Sequence, residues 1–187
     1  MLRQALRGPL AWSFIAVFGV VAAVGLWWFQ PWKLVTDTVV DEALPAVASP
    51  SAREAPPSGP AAAASTPSTG NQILAAGTFV SHEHETTGTA QVVRLADGRR
   101  QLVLRDLATS NGPDLRVWLT DQAVIDGTAG WRVFDDGRWF ELAKLKGNRG
   151  DQVYAIPASV DLTDARSVSI WCRRFSVSFG AADLRPV

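Results

Sequence analysis

Residues 167–180 read SVSIWCRRFSVSFG, two runs of β-branched and aromatic residues around a pair of arginines. Val168, Ile170 and Cys172 have one parity; Phe175, Val177 and Phe179 have the other. Side chains alternate across a strand, so one regular strand would place these apolar sets on opposite faces. Either both faces are buried, or an extra residue or tight turn near Arg173-Arg174 resets the pattern. Five more runs upstream have the same character or alternation, GTFVSHE, GTAQVVRL, RQLVLRD, DLRVWLT and DQVYAIP, and with SVSIWC and RFSVSFG from the quoted stretch they make seven. In DLRVWLT, Leu115, Val117 and Leu119 share one face, and Arg116, Trp118 and Thr120 the other. Asp97-Gly98 marks a hairpin, and Asn111-Gly112-Pro113-Asp114 marks a second turn. ELAKLKG could form one helical turn. Residues 73–187 therefore read as one all-β domain, a β-sandwich or a barrel-like closed sheet.

Upstream the composition changes twice. Leu10–Phe29 is LAWSFIAVFGVVAAVGLWWF, 20 residues without a charge. As a helix it spans about 30 Å, the thickness of a bilayer's hydrocarbon layer. Arg3 and Arg7 precede it, and Trp27, Trp28 and Trp32 gather at its far end. That arrangement predicts a retained transmembrane signal anchor over 10–30, with residues 1–9 cytoplasmic and the remainder extracytoplasmic at the cell membrane. The apolar run exceeds the usual signal-peptide core, and the first Ala-x-Ala pattern, at Ala46-Val47-Ala48, lies too far downstream for cleavage. Between anchor and domain, residues 31–72 are rich in Pro and Ala, with six prolines in 43–70. They read as a disordered linker with a mean reach on the order of 35 Å.

Charge and cysteine content narrow the chemistry. Lys+Arg and Asp+Glu are both 18, which gives no footprint for nucleic acid. One cysteine excludes a disulfide within the chain and the zinc sites that need several thiolates. Nucleophile-elbow, phosphate-loop and dinucleotide fingerprints are absent from the sequence. Arg149-Gly150-Asp151 spells an adhesion tripeptide, but its glycine reads as a turn before a strand.

Cys172 has two readings. Its parity with Val168 and Ile170 points it into the core, where a thiol is inert. Alternatively Arg174, or Arg173 in a bulged geometry, stabilises its thiolate and lowers its pKa. A lone thiol of that kind suits sulfenic-acid formation, a mixed disulfide or ligation of a metal or haem. His82 and His84, the only histidines, would share one face of a strand and could chelate a transition metal if a third ligand joined them. An exposed polar strand end is the simpler account of that pair.

GTFVSHEHETTGTA, NGPDLRVWLT, LKGNRGDQVYAIP and SVSIWCRRFSVSFGAADL together resemble the DM-thirteen family, the electron-transfer DM domain, over residues 74–185. The most specific matches are Gly112-Pro113-Asp114-Leu115, Gly150-Asp151-Gln152 with Tyr154 and Pro157, and Ile170-Trp171-Cys172 followed by Phe175. The resemblance implies an all-β extracytoplasmic module that in multidomain relatives accompanies DOMON and cytochrome b-type domains. It also implies a redox role whose signature cysteine, here Cys172, acts as a bare thiol or as a ligand to a prosthetic group such as haem. The family's N-terminal histidine falls at His84, and His82 is extra. On this reading the chain is a membrane-tethered redox or electron-transfer accessory, with a separate membrane or cell-envelope protein as redox partner. A non-catalytic cell-surface binding or scaffolding module is the alternative, and metal carriage by His82 and His84 comes third.

Overall fold

The computed structural model describes residues 9–47 and 70–187; the cytoplasmic segment expected before residue 9 and most of the expected linker lie outside the described residues. Helix α1 runs Pro9–Phe29, and its described side chains face outward. Among the described residues one segment, Trp12–Lys33, is long and apolar enough to cross a membrane. The helix stops at Gln30, which takes a left-handed conformation (φ 47°) before Pro31. A residue preceding proline is pushed out of the right-handed helical region, so the break is local chemistry.

Ten strands follow. In chain order they are β1 Val39–Asp41, β2 Gln72–Ser81, β3 Thr87–Arg94, β4 Arg100–Ala108, β5 Leu115–Thr120, β6 Trp139–Lys144, β7 Arg149–Ile156, β8 Ser167–Cys172, β9 Val177–Asp183 and β10 Arg185–Pro186. The fold is all-β: one curled sheet, a half-barrel, in the order β1-β7-β4-β3-β2-β9-β8-β5-β6. Strand β2 makes the curl. Its first part pairs with β3, and Phe79–Ser81 pair with β9. Strand β10 takes the edge of β2 that β9 leaves, at Ala75 and Ala76. The chain passes so closely here that a Cβ on Gly77 would meet the carbonyl of Asp183.

All seven expected runs lie largely on strands, and the Asp97-Gly98 turn joins β3 to β4 with Gly98 at φ 85°. Three strands were not expected. Glu141–Lys144, read as a possible helical turn, belongs to β6, because pairing with β5 outweighs the helix preference of Ala, Leu and Lys. Part of the segment read as tether is likewise in the sheet: β1 pairs in parallel with β7 at Arg149–Asp151. Asp37 binds Arg149 at 2.7 Å, and Glu42 binds Lys146 at 2.7 Å, holding both ends of β1.

The concave face carries the main core, including Leu102, Leu104, Val117, Ile170, Cys172 and Phe179. The opposite face of β5, β8 and β9 carries a second cluster of Trp118, Phe134, Trp171 and Ala181, in part covered by the segment between β5 and β6. Strand β8 is therefore buried on both sides. Both resets of pattern are also present. Arg173–Ser176 form a turn, and the β8–β9 register shifts between Ile170 and Trp171.

Candidate functional site

Cys172 is the last residue of β8, paired with Leu115 of β5 and Val177 of β9. Parity aims it at the main core, and its exposure is 0%. The turn above it is pinned by the Phe175 N–H donating to the Cys172 carbonyl (3.2 Å) and the Arg173 N–H donating to the Asp114 carbonyl (3.0 Å). Ser176 closes the turn at φ 49°, a conformation that side chains other than glycine adopt at a cost of about 1–2 kcal/mol. Burial pushes the thiol pKa up from its ordinary value of 9.0, while backbone N–H groups of Phe175, Arg174 and Asp114 pull it down and the charge of Glu83 raises it further. The sulfur thus sits in the apolar packing of the main core.

Arg174, expected to stabilise a thiolate, instead turns its guanidinium toward helix α1. There it donates to the Trp28 carbonyl and lies over the Trp28 ring, 4.9 Å from the centroid. Phe175 stacks on Phe29 with centroids 6.0 Å apart. The turn that covers the thiol is therefore clasped to the end of the apolar helix.

The histidines diverge. Strand β2 ends at Ser81, so His82-Glu83-His84-Glu85 forms a bent connection rather than a strand face. His82 is buried, with Nε2 3.2 Å from the Ile125 carbonyl and Nδ1 2.9 Å from Ser178 Oγ. A carbonyl only accepts, so Nε2 carries the proton and Nδ1 accepts from Ser178, whose oxygen accepts from Ser169 at 3.0 Å. Both nitrogens are engaged. His84 packs against Phe179 at 3.9 Å between centroids and lies 3.8 Å from Glu83. Burial lowers the pKa of both rings. Among the described residues no group of three or more His, Cys, Asp and Glu side chains is placed to hold a metal.

A second constellation lies on the opposite face: Trp171, expected to shape the surroundings of Cys172 or to pack another layer, joins Trp118 and Trp139, which had no expected role. Trp139, 46% exposed, stacks on Trp118 at 4.0 Å and 5° between planes. Trp118 stacks in turn on Trp171 at 4.9 Å, and Phe134 meets Trp171 edge-on at 6.4 Å. Trp118 Nε1–H donates to Glu141 Oε2 at 3.2 Å, and the other oxygen of Glu141 pairs with Arg116 at 2.7 Å. Arg116 also pairs with Asp114 at 2.7 Å. The alternation of DLRVWLT puts Trp118 beside Arg116, and the parity of Trp171 sets it opposite Cys172. The missing signal was Trp139, whose strand was hidden behind helix-forming residues.

The model of a protein family described as "Electron transfer DM13" matches residues 78–184. No curated protein and no solved structure matches the chain.

Proposed function

The chain belongs to the electron transfer DM13 family, and from that premise we propose that it is a membrane-tethered, extracytoplasmic redox accessory whose single thiol, Cys172, is the group that changes oxidation level. The coarse function, one related to electron transfer, comes with the family. The observation that carries the finer reading is the setting of Cys172 at the end of β8, directly before the Arg173–Ser176 turn that helix α1 clasps through Arg174 and Phe175. The apolar segment Trp12–Lys33 suits a tether, and Arg3 and Arg7 before it favour a domain outside the cytoplasm.

A haem or metal on the sulfur does not fit the residues around it. The neighbours of Cys172 are core side chains, and the cleft of about 240 Å³ bordered by Pro113, Asp114 and Leu115 does not include it. The bare thiol remains. Its chemistry begins with local opening of Arg173–Ser176, because a sulfur at 0% exposure meets no reagent otherwise. The exposed thiol and a peroxide then give sulfenic acid and water: sulfur gains oxygen, the O–O bond breaks and the thiol proton leaves in the water. A thiol of a separate envelope protein can condense with the sulfenic acid and carry the oxidation onward. Helix α1, through Arg174 and Phe175, sets how often the turn opens.

The test treats the full chain in lipid nanodiscs with hydrogen peroxide and a dimedone-type probe. One adduct is expected, at Cys172, absent from Cys172→Ser. Phe175→Ala should speed its formation about tenfold, the effect of ~1.4 kcal/mol on opening. No adduct in the folded wild type or in Phe175→Ala would overturn the redox reading. Complete burial of the sulfur favours the second reading, a non-catalytic surface binding or scaffolding module. That module would be left if the thiol proved silent.

A further inference from the structure

The outer face of β5, β6 and β8 holds a continuous path of indole rings from solvent to the residue next to Cys172. Trp139 is half exposed, whereas Trp118 and Trp171 are 3% and 1% exposed. Near-parallel rings at 4.0 and 4.9 Å overlap their π systems, which is the geometry that passes a single electron between neighbours. Ordinary aromatic packing explains the stacking, since paired rings attract one another beyond the area they bury. It does not explain why a carboxylate is brought to the indole nitrogen of the middle ring. An indole that loses one electron becomes a strong N–H acid, and the radical lasts only if a base takes that proton.

We propose that Trp139, Trp118 and Trp171 form a one-electron relay, in which Trp139 is the surface port and Glu141 is the proton acceptor for Trp118. The co-reactant is a high-potential one-electron oxidant, the oxidised metal centre of a separate carrier docked over Trp139. The carrier gains one electron, Trp118 loses it through Trp139, and the Trp118 Nε1 proton moves 3.2 Å along an existing hydrogen bond to Glu141 Oε2. The products are the reduced carrier, a neutral indolyl radical and a carboxylic acid. Asp114 keeps Arg116 paired while Glu141 is neutral. Return of an electron and of the proton from Glu141 restores the start. Until that proton moves, Trp171 shares the cationic oxidised state by stacking; transfer of the proton to Glu141 then localises the radical on Trp118. The relay rests on the family's electron-transfer character but not on the sulfur.

The test is flash oxidation of the full chain in lipid nanodiscs by photogenerated tris(bipyridine)ruthenium(III), followed by transient absorption and electron paramagnetic resonance. Wild type should give a long-lived neutral tryptophanyl radical. Trp118→Phe should lose that component, and Trp139→Ala should slow its appearance. Glu141→Gln keeps an acceptor oxygen but no base, so its first product should be the indole cation radical, a spectroscopic change that a packing role would not produce. Cys172→Ser should leave the radical unchanged, which separates this proposal from the thiol chemistry. The proposal is overturned if Trp118→Phe retains the wild-type radical, or if Glu141→Gln yields the neutral radical at the wild-type rate. Should Trp118→Phe fail to fold, the two variants at part-exposed positions, Trp139→Ala and Glu141→Gln, decide the matter alone.

Discussion

His82 donates from Nε2 to a backbone carbonyl and accepts at Nδ1 from Ser178, and His84 lies against Phe179. Burial holds the pKa of both rings below the ordinary 6.5, so the unfolded chain binds more protons than the folded one once pH drops under that value. Stability is then full above 6.5 and is lost as pH falls through the two depressed folded values. Urea midpoints of the full chain should decline as pH falls below about 6.5, and His84→Gln should flatten part of that slope. An unchanged slope in His84→Gln would remove His84 from the account. Depressed carboxylates such as Asp37 and Glu42, held down by hydrogen bonds to Asn148 and Lys146 respectively, act in a lower window, near and below about pH 4. Cys172 runs the other way. Its raised pKa keeps the folded thiol protonated where the unfolded thiol ionises, so stability falls as pH rises past 9.0.

Strand β1 depends on one glycine. Gly150 sits at φ 95° within β7, and a Cβ there would meet the carbonyl of Val40. Gly150→Ala combines left-handed strain of about 1–2 kcal/mol with displacement of β1. Amide exchange at 39–41 should lose its protection while that of β4 and β8 persists; retained protection at 39–41 would contradict the role of this close approach. The tripeptide Arg149-Gly150-Asp151 is consumed by the same construction, with Arg149 on Asp37 and Asp151 accepting from the Asp106 N–H at 2.7 Å. None of this was legible in the segment containing Val39-Val40-Asp41. A three-residue strand in a short segment beside the Pro- and Ala-rich stretch has no pattern of its own, and its partner lies more than a hundred positions away. Strands β3, β4, β5 and β8 were legible because β-branched and aromatic residues recur in them between clear turns. Strand β6 was not, because Ala143 and Lys144 favour helix until β5 supplies a ladder.

Across the whole molecule, one curled sheet sets two chemistries on opposite sides of β8: a thiol inward and an indole stack outward. Parity gave the inward aim of Cys172. The direction of the Arg174 guanidinium was beyond sequence, since it is fixed by the turn and by the end of α1, which lie far apart in the chain. The electron-transfer family assignment, by contrast, was readable from local motifs such as Ile170-Trp171-Cys172. The claim on which the redox account turns is that the folded protein uncovers its sulfur by opening locally, without unfolding. The most direct measurement is the rate of Cys172 alkylation in the full chain as urea is raised from zero to just below the unfolding transition. Local opening exposes little surface, so the account predicts complete modification at a rate nearly independent of urea. A rate that climbs with the full equilibrium m-value, or labelling seen only after global unfolding, would contradict it.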